Sequence, residues 1–587
     1  MIISDFLLLK KVDFSQWVDN MKPSLPQNDP NPEQRKDHLS RQQKAYLFDH
    51  DALSPLALLK DVPAVENFSS KYIGERILAT SELAANMLAA DARTFLDPLD
   101  ELQDYEDFFT LLPLPQVAKI YQTDRSFAEQ RLSGANPMVL RLLDASDPRA
   151  QTLAPISNFH PLFDLQQELQ QKNIYIADYT GSDQHYRAPS KIGGGSYEKG
   201  RKFLPKPRAF FAWRWTGIRD RGELVPIAIQ LNPNPDSHLY TPFDPPVDWL
   251  FAKLCMQVAD ANHHEMSSHL GRTHLVMEPI AIATARQLAK NHPLSLLLKP
   301  HFRFMLVNNE LARSYLIAPG GPVDDLLSGT LTETVEIARE ACSTWSLDEF
   351  ALPTELKNRG MDDPNQLPHY PYRDDGLLLW NAIETFVSDY LKYFYPTKEA
   401  IVQDVELQTW AKELASNKGG KVKGMPSKID TVEQLIKIVT TVIFTCGPQH
   451  SAVNFPQYEY MSFAANMPLA AYRDIPKITA SGTLEVITEK DILRLLPPYK
   501  RAADQLKTMF ILAAYRYDRL GYYDKSFREL YQMSFNEVFG GTPIEQFVQQ
   551  FQQNLNMAEQ KIDANNQKRV IPYFAMKPSL VLNSISV

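Results

Sequence analysis

Cysteine is scarce in this chain. The three present, Cys255, Cys342 and Cys446, are widely spaced and form no Cys-x-x-Cys pair. A scattered, odd set argues against a disulfide framework or a cysteine zinc site and suits a reducing, cytoplasmic setting. Long apolar runs are also missing. No stretch reaches the ~18 residues of a membrane-spanning helix, so no such helix is expected. Positive charge is not in excess: the formal net charge is -9. Nothing electrostatic therefore favours nucleic acid or an anionic membrane surface. A phosphate loop is missing too. The run Gly193-Gly194-Gly195, with Lys191, Lys199 and Arg201 nearby, lacks a Gly-Lys-Ser/Thr ending and a following helix. Residues 186–201 read instead as a mobile loop. The first residues, Met1–Lys11, are briefly apolar but have no positive n-region and no cleavage site. They make a poor signal peptide. A short segment packed on the body is expected, with shallow membrane contact as the alternative.

What is present is ordinary in bulk and distinctive in pattern. A hydrophobic share of 44% and a charged share of 22% describe a globular protein. The length of 587 residues allows several domains or one large helical enzyme domain. Residues 20–40, rich in Pro, Asn, Asp and Lys, read as an exposed linker or loop. Residues 44–150 read as mainly helical. Residues 155–245 hold short β-prone runs: Ile174-Tyr175-Ile176, Ala209–Trp213 and Val225–Leu231. From Val247 onward helical periodicity dominates, with segments near 247–288, 375–395, 431–447 and 499–520. The fold class expected is mainly α with a small β-containing subregion. Val432–Gly447 is nearly all apolar but too short for a membrane, so it reads as a helix buried in a large core. It leads directly into His450 and Asn454.

The candidate chemistry lies in polar groups set among apolar neighbours. Four histidines, His263, His264, His269 and His274, fall between residues 263 and 278, a run closed by Glu278. His450 and Asn454 are four apart and share one helical face. His269 and His274 are five apart and would diverge by about 140° on a regular helix. They converge only through a π-type turn, a defect common at functional sites, which is expected near residues 269–274. A helix over 431–454 packed on one over 255–285 would then gather three imidazoles and an amide. Such ligands suit iron, zinc, copper or nickel. The zinc-peptidase pattern His-Glu-x-x-His is not met, because the second histidine comes one residue late. A di-metal phosphohydrolase would need several aspartates, and only Asp260 is close.

At these residues the chain resembles the lipoxygenase family. The signature run reads His264-Glu265-Met266-Ser267-Ser268-His269-Leu270-Gly271-Arg272-Thr273-His274, closed by Glu278. Further matches include Phe127–Pro137, Ile176–Tyr179, Trp249–Lys253, His292-Pro293 and Pro371–Leu377. Together they span roughly residues 100–587, and the resemblance implies an N-terminal extension over 1–43 and a catalytic domain over 44–587. It also implies non-haem iron, with manganese as the alternative, held by His269, His274, His450, Asn454 and the terminal carboxylate of Val587. Glu265 and Gln457 would form a hydrogen-bond network between the metal and the substrate cavity. Leu270, Ala312, Leu316 and Leu512 would line that cavity. Leu316 and Leu512 would clamp the substrate, and Ala312 would influence where oxygen attacks. The activity implied is dioxygenation of a polyunsaturated fatty acid bearing a cis,cis-1,4-pentadiene. A ferric hydroxide would abstract hydrogen, and O2 would complete the hydroperoxide. A hydroperoxide isomerase and a silent lipid-binding protein are the alternatives. The resemblance also implies a monomer without the N-terminal β-barrel of many relatives. Two departures stand out: Gly271 replaces a bulkier residue and is expected to widen the cavity or ease the helix bulge, and Val587 replaces isoleucine.

Overall fold

The computed structural model describes residues 21–96, 99–158, 164–181, 194–215, 222–234, 237–478 and 483–587. The apolar segment Met1–Lys11 lies outside the described residues, as does most of the glycine-bearing loop 186–201 up to Gly193.

Helices carry the fold. Val432–Phe444 is strongly apolar, and Leu435, Val439, Val442 and Ile443 are fully buried. It packs on the helix Pro371–Phe394, which packs in turn on Ile544–Asn566. Leu379, Ile383, Phe386 and Tyr390 recur at three- and four-residue spacing, so one stripe of the middle helix faces inward. Trp380 meets Phe444 edge-on at 5.4 Å, and Phe386 stacks on Phe551 at 4.8 Å. Aromatic pairs at these separations add to the area they bury. Among the described residues no helix is long and apolar enough to cross a membrane.

The β-prone runs form a five-stranded antiparallel meander. Its strands are Arg141–Leu142, Ile174–Asp178, Arg208–Trp215, Gly222–Gln230 and Leu239–Tyr240. Strand side chains alternate in direction, and here both faces are covered. Tyr175, Ala177, Phe211 and Trp213 join the main core, while Ile174, Ile176, Phe210 and Ala212 join a smaller one. Pro226 lies opposite Phe211 where the register shifts. A proline has no ladder N–H to give, so a bulge at that point is its natural place.

The sheet is tied to the helices by a buried polar knot. Asp260 pairs with Arg131 at 2.9 Å and accepts hydrogen bonds from Asn136 at 2.7 Å and from the Tyr179 hydroxyl. The segments 127–137 and 176–179 thus converge four residues ahead of His264.

Two sequence expectations give way. Residues 20–40, read as a linker, contain most of a helix, Pro32–Ala45. Its inward contacts are polar: buried Arg35 pairs with Asp29 and Glu406. A helix docked through charge shows no apolar stripe to read. Among the described residues of 44–150, α-helix past the end of Pro32–Ala45 is limited to Ser70–Leu96 and Asp124–Ser133. Pro55, Pro63, Pro113 and Pro115 break the regular ladder, and tight 3-10 turns take its place.

Candidate metal centre

The first site helix begins at Pro246, runs as α to His263, turns π from His264 to Leu275, and resumes as α over Val276–Gln287. The expected bulge is therefore a twelve-residue π segment. Bonding from i to i+5 aligns residues five apart, and His264, His269 and His274 follow that interval. His264 stacks on His269 at 5.8 Å, and His269 meets His274 at 5.0 Å.

Gly271 explains how the segment is seated. A Cβ built there would lie 2.9 Å from the Ala341 Cβ and 3.0 Å from the Met266 carbonyl oxygen. The missing side chain admits the helix Leu331–Thr344, whose Cys342 thiol contacts the Gly271 carbonyl. Gly271 thus brings a neighbouring helix close rather than widening a cavity.

The second site helix runs as α over Val432–Phe444, as π over Thr445–Gln449 and as α over His450–Asn454. Pro448 sits in the π turn, which accommodates a residue that cannot donate and crowds the preceding turn. At Gly447 an added Cβ would lie 2.8 Å from the Leu582 carbonyl oxygen, so glycine lets the last segment of the chain cross the helix. That segment, Val581–Val587, is buried throughout. The Asn583 carbonyl meets His301 Nδ1 at 2.8 Å, the Asn583 side chain accepts from Gly521 N–H at 3.0 Å, and the Tyr72 hydroxyl donates to the Ser586 carbonyl. Val587 is 4% exposed and shares a cluster with Phe455, Leu582 and Tyr72.

Between the helices, ligand atoms of His269, His274 and His450 all lie within 4.8 Å of one another, each residue buried. His450 faces both partners, with ring centres 5.5 Å from His269 and 5.0 Å from His274. Among the described residues, the Nε2 atoms of His269 and His274 and both ring nitrogens of His450 have no hydrogen-bond partner. Each such buried atom costs about 1–3 kcal/mol. Several converging on one point form a donor set suited to a transition-metal ion. Burial, reinforced by neighbouring imidazoles, pushes His274 down to about 3 and His450 well below its ordinary value. At neutral pH both are uncharged, the state in which imidazole binds metal.

Supporting groups fix the rings. His274 Nδ1 lies 2.9 Å from Asn309 Oδ1, and His269 Nδ1 lies 3.4 Å from Glu265 Oε2. Burial opposes the charge on Glu265, but the imidazoles of His264 and His269 outweigh it and bring the carboxyl down to about 2. His264 points its Nε2 at the Val453 carbonyl, 2.6 Å away, and so joins the two helices rather than the cluster. His263 lies against Tyr179, with ring centres 5.4 Å apart and tilted by 50°. Asn454 is fully buried; its Oδ1 accepts from Gln457 at 3.0 Å, and its Nδ2 donates to the Leu512 carbonyl at 2.8 Å. Glu265 and Gln457 therefore each touch one of the expected ligands.

The expected substrate residues are more dispersed. Leu270 and Leu512 are half-buried against the main core, one beside His269 and the other bonded to Asn454. Buried Ala312 opens a third π segment, Ala312–Leu316, which half-buried Leu316 ends. Sequence reading missed Asn309 and gave no role to Glu278. Buried Glu278 accepts from Asn309 Nδ2 at 2.7 Å, from Leu59 N–H at 2.7 Å and from Arg313 at 3.0 Å. No signal in the sequence singles out Asn309, because the helix Met305–Leu311 also carries Asn308 and Glu310.

The lipoxygenase family profile matches residues 206–572. The chain is 30% identical to the allene oxide synthase-lipoxygenase protein of Plexaura homomalla, over 94% of its own length and 53% of that relative. It is 34% identical to the linoleate 9/13-lipoxygenase of Pseudomonas aeruginosa, over 83% and 70% respectively. It thus spans about half of the first relative and just over two thirds of the second. Among solved structures, a lipoxygenase variant crystallised anaerobically with arachidonate superposes with a TM-score of 0.84 at 29% identity, covering 96% of this chain and 83% of that one. The match runs through both site helices and three of the five strands, so the chain belongs to the lipoxygenase family.

Proposed function

We propose that this protein is an iron-dependent dioxygenase of polyunsaturated fatty acids such as linoleate, linolenate or arachidonate, with residues 44–587 as the catalytic unit. The observation that carries the reading is the meeting of unpartnered nitrogens from His269, His274 and His450 at one buried point. The relatives support the substrate class: one acts on linoleate by name, and one solved neighbour holds arachidonate.

His269, His274 and His450 would hold the metal through imidazole, Asn454 through its amide oxygen and Val587 through its main-chain carboxylate. Neutral imidazoles and an amide leave a site of low ligand charge, which suits iron or manganese. When bound, the metal supplies the one-electron acceptor for removal of a bis-allylic hydrogen. The chain's own residues do the rest. Asn309 and Glu265 orient two of the imidazoles, as outer partners of metal ligands generally do. Gln457 and the Leu512 carbonyl fix the Asn454 amide. Leu270, Ala312, Leu316 and Leu512 would present the pentadiene and keep water from the carbon radical until O2 adds. The protein would act as a monomer in the cytoplasm, with any membrane contact made through its N-terminal apolar segment.

The test is oxygen consumption by the purified protein with linoleate, followed by chiral chromatography of the reduced products. Uptake matched by a conjugated-diene hydroperoxide supports the proposal. No uptake with linoleate, together with consumption of its hydroperoxide, would replace it with an isomerase.

A further inference from the structure

Among the described residues Arg516 is a cation without a counter-charge. It follows the helix Tyr499–Ala513, four residues past Leu512. Its guanidinium carbon stands 3.7 Å from the ring centre of Phe455, the residue after Asn454. It is half-buried, and among the described residues no hydrogen bond or ion pair reaches it. Burial alone pushes it down to about 10, so it is still charged at neutral pH.

Its neighbours are committed elsewhere. Arg519 approaches Glu559, Arg303 pairs with Glu529, and Arg76 donates to the Tyr72 hydroxyl. The Glu75 carboxylate is engaged by the Tyr515 hydroxyl. Phe455 itself belongs to the cluster that contains Val587. An unpaired guanidinium is thus held over the ring of Phe455, the residue after Asn454. A planar fork of N–H donors matches a carboxylate in two-point fashion, and the aromatic contact steadies the fork before a ligand arrives.

We propose that Arg516 binds the carboxylate of the fatty acid and makes the protein selective for free acids over esterified lipids. This rests on the fatty-acid reading above, in which the substrate's only charged group is its carboxylate. A neutral ester would leave the guanidinium partly buried and unpaired, so the penalty falls on the wrong ligand. Discrimination built on an unpaired polar group exceeds what an apolar wall can provide.

The experiment measures binding rather than turnover. Oleate and methyl oleate lack the pentadiene, and their affinities for the full-length protein can be compared by calorimetry. The wild type should bind oleate roughly ten- to a hundredfold more tightly than its methyl ester. Arg516→Gln should bring the two ligands level at an unchanged melting midpoint, and Arg516→Lys should restore part of the difference. The proposal is overturned if the wild type shows no preference. It is equally overturned if Arg516→Gln keeps the preference while Arg76→Gln loses it. Absence of oxygen uptake with linoleate would count against the enzymatic reading alone, since the binding result does not depend on it.

Discussion

His274 and Asn309 hold each other at both ends: Nδ1 of the imidazole faces Oδ1 of the amide at 2.9 Å, and the amide Nδ2 donates to the His274 carbonyl at 3.1 Å. An amide oxygen only accepts, so the proton sits on Nδ1 and the lone pair on Nε2 points to His269 and His450. Asn309→Ala removes this orientation. Metal affinity is expected to fall by about 10- to 100-fold, measured by competition with a chromogenic chelator. Unchanged affinity would show that the ring is held by packing alone.

Gly271 is a contact point between two helices. Gly271→Ala places a methyl against Ala341 and should cost about 1–3 kcal/mol, read as a lower urea midpoint. Ala341→Gly vacates that space. In a double-mutant cycle the two changes should couple favourably, making the pair less harmful than their sum. Additive effects would mean the helices do not meet there as described.

Asp518 ties down the last segment of the chain, accepting from the Asn583 N–H at 3.2 Å. Burial raises its carboxyl to about 6, against the lowering pull of that hydrogen bond. The folded protein therefore keeps a proton that the unfolded chain releases near pH ~4. This contribution to stability is complete below pH ~4 and is lost as pH rises to about 6. Asp518→Asn should flatten the dependence and stabilise the protein at pH 8 relative to wild type, by on the order of 1–3 kcal/mol. Urea midpoints at pH 5 and pH 8 would show it. A variant with the wild-type slope between them would remove Asp518 from the account.

Ala312 is buried at the start of a π segment, three residues after Asn309. If it shapes the space in which O2 meets the substrate, Ala312→Gly should change the position or chirality of the hydroperoxide. Chiral chromatography of the reduced product reads this directly, and an unaltered profile would dismiss the role.

Much of the site was legible because its geometry contradicts a regular helix. The five-residue interval between His269 and His274 demands a π turn, and one is present. The π segment extends back to His264, one further five-residue interval along the chain. Strand alternation was equally readable, since Ile174, Ile176, Phe210 and Ala212 face one core and Tyr175, Ala177 and Phe211 the other. What stayed hidden depends on partners remote in sequence. Asn309 acquires meaning only beside His274, and Gly271 only beside Ala341. Arg35 docks a helix through Glu406, so that helix carries polar residues where a pattern reader expects apolar ones. The end of the helix Tyr499–Ala513, expected near 520, is likewise set from afar, as Leu520 N–H turns to the Val581 carbonyl.

The central claim is that three imidazoles, one amide and the Val587 carboxylate hold one iron ion. Elemental analysis by inductively coupled plasma mass spectrometry tests it most directly, applied to the wild type, His450→Ala and a chain lacking Val587. Close to one iron per chain is expected in the wild type and almost none in either variant, with folding retained by circular dichroism. Iron retained in both variants, or no transition metal in the wild type, would contradict it.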